Sequence, residues 1–204
     1  GVHTAILSAA VSGLAMIFIG ILLSRPMLEW MGTPANIIDQ ATLYIRIFFL
    51  GMPALLLYNF GAAILRAVGD TRRPLYFLII AGVVNVLFNL FFVIVFHMGV
   101  AGVAIATVIS QYISATLILI CLTNNEGVCR LMPKELRIHK EQLAEILRIG
   151  LPAGLQGVIF NISNVLIQSS VNSFGSVVVA GNTAASNIEG FVYTSMNAVY
   201  QTSL

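Results

Sequence analysis

Charge is scarce in this sequence. Among 204 residues there are only 8 acidic and 10 basic side chains, 9% charged in all, against roughly a quarter in ordinary soluble domains. That scarcity excludes a water-facing globule, because too few polar residues remain to cover its surface. The net charge of +2 is too small to argue for a nucleic-acid partner, so none is expected. The two cysteines, Cys121 and Cys129, have no metal-ligand company and read as free thiols. Enzyme signatures are missing as well. There is no glycine-rich phosphate loop ending in lysine, no His-Glu-x-x-His and no Gly-x-Ser-x-Gly, which argues against an ATP-driven pump, a catalytic role or a bound cofactor within this chain. The chain opens on Gly1, lacks a charged leader and stops at Leu204 inside a segment with no closing polar tail, the pattern expected of an internal stretch of a longer protein.

What is present is hydrocarbon. Hydrophobic residues make up 58% of the chain, and a mean hydropathy of +0.95 predicts an all-α polytopic membrane helical bundle. Six spans are expected, each near the ~20 residues that cross ~30 Å of lipid. The first covers 5–24, ended by Arg25 and Pro26. The second starts at a Thr33–Pro34 cap and carries Asp39 and Arg46, with a kink predicted near Pro53. The run Leu65–Pro74, with Arg66, Arg72 and Arg73, separates it from the third span, 75–96, where Pro74 suits the first helical position. There Asn85 and Asn89 lie one turn apart on one face. The fourth span, 100–122, opens with the small residues Ala101, Gly102, Ala104 and Ala106. Its polar stripe of Thr107, Ser110, Gln111 and Ser114 predicts interhelical hydrogen bonds.

The hydrophilic stretch 123–148 predicts an amphipathic surface helix opened by Pro133, with Leu136, Leu143, Ile146 and Leu147 on its apolar side. A fifth span starts at Gly150–Pro152 and a sixth near Val177. The fifth has Gly157, Asn161, Asn164, Gln168 and Asn172 at helical spacing. The sixth holds Asn182, Asn187, Glu189, Thr194, Asn197 and Gln201, and amides in such number predict a wet cavity or a polar bundle interior.

Charge placement orients the spans. Loops at 66–74 and 123–147, with the adjoining Arg148, hold eight of the ten basic residues, and the opposite loops hold only Arg25. The positive-inside rule makes the first set cytoplasmic in a plasma (inner) membrane protein. Glu189 lies twelve residues into the sixth span, or ~18 Å along the helix. An acid so placed predicts a proton or cation site, or a counter-ion for a cationic substrate. Asn161, Asn164, Gln168 and Asn187 are the accompanying candidate substrate- or ion-binding amides. Arg46 and His97 read as structural or interfacial.

Several motifs resemble the multidrug and toxic compound extrusion (MATE) family of cation-coupled transporters. They are Gly51, Pro53, Tyr58 and Asn59, then LRAVGDTRRP at 65–74, Asn85 with Asn89, VAGVAIATVISQ at 100–111, and RIGLPAGLQ from Arg148. The resemblance implies a two-lobe, twelve-helix transporter in which this chain supplies the third to eighth helices. Residues 1–122 would end the N-terminal lobe, 123–147 would link the lobes and 148–204 would begin the C-terminal lobe. It also implies H+ or Na+ as coupling ion, an amphiphilic or cationic small-molecule substrate, and membrane lipid and the remaining helices as partners. One branch of the family carries a glutamate in its seventh helix; Val158, Ile159, Phe160 and Asn161 stand there instead, so that branch's sodium site lacks its acid here.

Secondary antiport by alternating access is the function these readings favour. The alternative is a lipid-linked-precursor flippase of the same superfamily, which would need intramembrane cations for a pyrophosphate where this chain offers only Arg46. A non-transporting scaffold is disfavoured by the amides of the last two spans.

Overall fold

The computed structural model describes residues 1–30, 37–125, 130–132, 137–172 and 176–202; the side chains at 168–169, 172, 176–177, 179–180, 183 and 198–202 lie outside that description. Seven α-helices account for most of it, and no strand occurs among the described residues. The chain divides into two compact units, Gly1–Ile146 and Leu147–Leu204.

In the first unit the packing is inverted relative to a soluble protein. Helix α1 (Val2–Trp30) buries Ala9, Gly13, Gly20 and Ser24 along one face, while Phe18 and Leu22 stand exposed. Small residues inward and large apolar residues outward are what close helix packing in lipid requires. A Cβ on Gly13 would collide with the Cα of Pro53, and one on Gly20 with the ring of Phe49. Pro26, expected to end the helix, lies inside it; in a membrane span neighbouring groups can satisfy the carbonyl a proline frees.

Helix α2 (Ile38–Leu50) and helix α3 (Met52–Ala67) form one span bent by 43°. The kink expected near Pro53 falls at Gly51, because proline has no amide hydrogen for the preceding turn and its ring crowds the carbonyl there. The Tyr112 hydroxyl donates to the Leu50 carbonyl at the break, at 3.0 Å. Thr33 and Pro34, the expected cap of this span, lie outside the described residues.

The turn that follows α3 is closed by two C-terminal bonds. Asp70 N–H donates to the Leu65 carbonyl at 2.9 Å and Gly69 N–H to that of Arg66 at 3.0 Å, with Gly69 at φ +85°. Only glycine takes that conformation freely, which accounts for Gly69. The Asp70 carboxylate then accepts the Arg73 amide at 3.2 Å, starting helix α4 (Arg72–Leu90). Pro74 is therefore the third helical residue, not the first. Helix α4 widens into a π turn, Phe91–Val95, before His97 and Gly99, both at positive φ, reverse the chain into helix α5 (Gly99–Thr123).

Ile6, Ala62, Leu65, Ile118, Leu122 and Leu131 form the buried cluster. Leu131 belongs to the connector after α5, and the connector is fastened to the start of α1. The Leu131 amide donates to the Leu122 carbonyl at 2.9 Å, and Met132 N–H donates to His3 Nε2 at 3.1 Å. The fully buried Thr4 hydroxyl accepts from His139 N–H at 3.3 Å and lies 3.1 Å from Gln142 Oε1.

Helix α6 (Lys140–Asn172) contains Pro152. The expected separate surface helix and the expected span start at Gly150–Pro152 are thus one continuous helix beginning at Lys140; Pro133 and Leu136 lie outside the described residues. Helix α7 (Ser176–Thr202) follows. Counting α2 and α3 as one bent span, five stretches among the described residues are long and apolar enough to cross a membrane, and α7, expected as the sixth, is not among them. Its amides, hydroxyls and Glu189 lower its hydropathy.

Candidate functional site

The second unit holds the residues that the sequence nominates for substrate or ion binding. Asn161 on α6 donates from Nδ2 to the Gly157 carbonyl of its own helix at 2.9 Å. With Gln156, Gly157, Phe160, Ser163 and Tyr193 it lines a cleft of about 540 Å³. Tyr193 comes from α7, one turn after Glu189, so both point to one side of that helix. Glu189 itself is exposed, as are Asn164 and Asn187, and none of the three lines the cleft. Glu189 has no ion pair among the described residues. The side chain of Gln168 lies outside the described residues. The hydroxyls of Ser163, Thr194 and Ser195 bond back to carbonyls four residues earlier, a way for a lone polar side chain to satisfy itself within its helix. The unit thus presents amides and one carboxylate on exposed helix faces.

A second polar group sits in the first unit, between α4 and α5. Asn89 Nδ2 donates to Asn85 Oδ1 at 3.0 Å, and Asn85 Nδ2 reaches the hydroxyl oxygens of Thr107 and Ser110, each at 3.4 Å. Those hydroxyls donate to the Val103 and Thr107 carbonyls at 2.9 and 2.7 Å. The interhelical bonding expected of the α5 stripe is present. Both amide nitrogens of this network donate, but not every acceptor in it receives. Asn89 Oδ1 is buried without a partner among the described residues. So is Gln111 Oε1, which packs where a Cβ on Gly51 would stand.

An orphan amide oxygen in a low-dielectric site favours a proton donor or a hard cation. The sequence marked Asn85 and Asn89 as a shared face but did not nominate them as a site. Two amides a turn apart in an otherwise apolar span were the available signal. Arg46 is structural: its Nε donates to the buried Ser24 hydroxyl at 3.3 Å. No group of three or more histidine, cysteine or acidic side chains could hold a metal among the described residues.

Comparison with known proteins bears on this arrangement. The family model described as MatE matches residues 2–91. Over 174 residues, 85% of its length, the chain is 37% identical to the probable multidrug resistance protein YpnP of Bacillus subtilis, of which it covers 38%. The chain belongs to the MATE family. A second B. subtilis protein, the probable multidrug resistance protein YoeA, is 30% identical over 189 residues, covering 88% of the chain and 40% of YoeA. The multidrug export protein MepA of Staphylococcus aureus is 23% identical over 168 residues, 82% of the chain and 37% of MepA. This MATE chain therefore spans about two fifths of the length of the curated relatives it matches. No solved structure matches it. As a MATE sequence with several apolar spans, it is a multi-pass membrane protein.

Proposed function

We propose that the chain is part of a secondary active antiporter that exports drugs or organic cations in exchange for protons or sodium by alternating access. The observation that carries the reading is the likeness to the multidrug resistance protein YpnP, which runs over 85% of the chain and so extends beyond the matched family segment. The geometry adds polar groups of the kind such a cycle uses. Asn89 Oδ1 in the first unit and Glu189 in the second are oxygens that a proton or sodium ion could engage. Asn161, with the neighbouring Tyr193, offers hydrogen bonding and an aromatic face to an amphiphilic cation. Asn164, Gln168 and Asn187 complete the proposed substrate path.

In this reading residues 1–122 end the N-terminal lobe, 123–147 link the lobes and 148–204 begin the C-terminal lobe. The arginine-rich loops at 66–74 and 123–147 face the cytoplasm across the plasma membrane. Rocking of the lobes would alternate access. The flippase reading gains nothing here, since Arg46, the one intramembrane cation, is engaged by Ser24. The test is efflux of a fluorescent cation from cells expressing the protein, with proton and sodium gradients imposed in turn. Efflux that follows one gradient is the expected result, and efflux indifferent to both overturns the antiport reading.

A further inference from the structure

The two ends of the first unit treat their cations differently. At one end Arg25 is paired twice, with Glu29 at 3.1 Å and Asp39 at 3.5 Å. At the corner between α3 and α4, Arg66, Arg72 and Arg73 are all exposed and share a single acid. That acid, Asp70, is taken by Arg73 at 3.2 Å. Arg66 spends its Nε on the Ala62 carbonyl of its own helix, and neither it nor Arg72 has an acidic partner among the described residues. Arg72 also stands in a first turn that contains no acid, where the helix's own dipole is already positive. Among the described residues no acid of the unit pairs with Arg66 or Arg72.

Below Arg72 on the same face of α4 run Tyr76, Ile79 and Val83, each more than half exposed. From Arg72 to Val83 is eleven residues, ~16 Å of helix, about the depth of one leaflet of a ~30 Å hydrocarbon layer. Arginines without an acidic partner at the top of an apolar stripe one leaflet deep match a two-part ligand.

We infer that this corner is a preferential binding site for an anionic phospholipid, its phosphate held by Arg66 and Arg72 and its acyl chains lying along Tyr76, Ile79 and Val83. Arg73 is positioned by Asp70 and completes the positive field. A zwitterionic lipid brings its own cation to the same place and gains less.

The experiment is native mass spectrometry of the detergent-solubilised protein supplied with phosphatidylglycerol, phosphatidylcholine or inorganic phosphate. Phosphatidylglycerol should be retained over phosphatidylcholine by roughly tenfold. The double variant Arg66→Gln/Arg72→Gln should erase that preference, Arg66→Lys/Arg72→Lys should keep most of it, and Arg25→Gln at the other end should leave it unchanged. Phosphate alone should give no adduct that survives. Equal retention of the two lipids overturns the proposal without recourse to any variant, and would mean that another part of the protein or a second copy covers the stripe. A phosphate adduct as persistent as the lipid's would remove the acyl-chain half of the site.

Discussion

The two units are both built from long helices and finish in different states. In Gly1–Ile146 small residues let helices approach until glycine is required, and Thr4, Ser24 and Ser110 are buried with hydrogen-bond partners. In Leu147–Leu204 no described side chain is buried, and a Cβ on Gly150, Gly154, Gly157, Gly181 or Gly190 would meet nothing. The contrast teaches that hydropathy makes a helix a membrane segment, whereas small-residue spacing makes it part of a packed bundle. The second unit has the first property in α6 but spends its face on amides.

The largest expected effect sharpens that contrast. Gly13→Ala places a Cβ against the Cα of Pro53, which cannot rotate away, and should cost about 1–3 kcal/mol, as overpacking does. Gly157→Ala fills open space and should be neutral or gain up to ~1 kcal/mol of helix propensity. Thermal unfolding of the two purified variants measures the difference, and equal losses would mean that α6 is as tightly packed as α1.

Next comes the amide chain. Asn85→Leu removes the residue that both accepts from Asn89 and donates to α5, and should cost about 1–2 kcal/mol. Asn89→Leu loses one bond but also removes an orphan oxygen, so its cost should fall near the ~0.6 kcal/mol average for hydrogen bonds in membranes, or below it. The same thermal measurement orders the pair, and a larger loss for Asn89→Leu would show that its oxygen is engaged.

A smaller effect is expected at the connector. Thr4→Val keeps the shape and loses the hydroxyl that receives the His139 amide, at a cost of about 1 kcal/mol. Hydrogen exchange should quicken at His139 and Met132 while the α5 amides stay protected. Unchanged exchange would mean that the hydroxyl does not hold the connector.

Much of the first unit was legible because its signals are local. Hydropathy gave the spans, Gly69 the turn, and Pro53 a bend that landed two residues earlier. Pro26 and Pro152 misled, since a proline read as a helix boundary in water is tolerated inside a membrane helix. The fastening of Met132 and His139 onto His3 and Thr4 was not legible at all. It joins residues more than 120 positions apart, and no periodicity encodes it. At the site, the spacing of Asn85 and Asn89 was visible, but which oxygen stays unpaired depends on where Thr107 and Ser110 spend their hydrogens. For Asn161 the helical spacing was visible, and the cleft it lines together with Tyr193 was not.

The claim on which the functional account turns is that the exposed polar helices of the second unit carry ion-linked work. Glu189→Gln keeps the size and removes the charge, at a position that is exposed among the described residues. Gradient-driven efflux of a fluorescent cation, measured beside the thermal stability of the same variant, tests it directly. The account predicts that the gradient dependence is lost while stability is retained; gradient-driven efflux unchanged from that of the unaltered protein would contradict it.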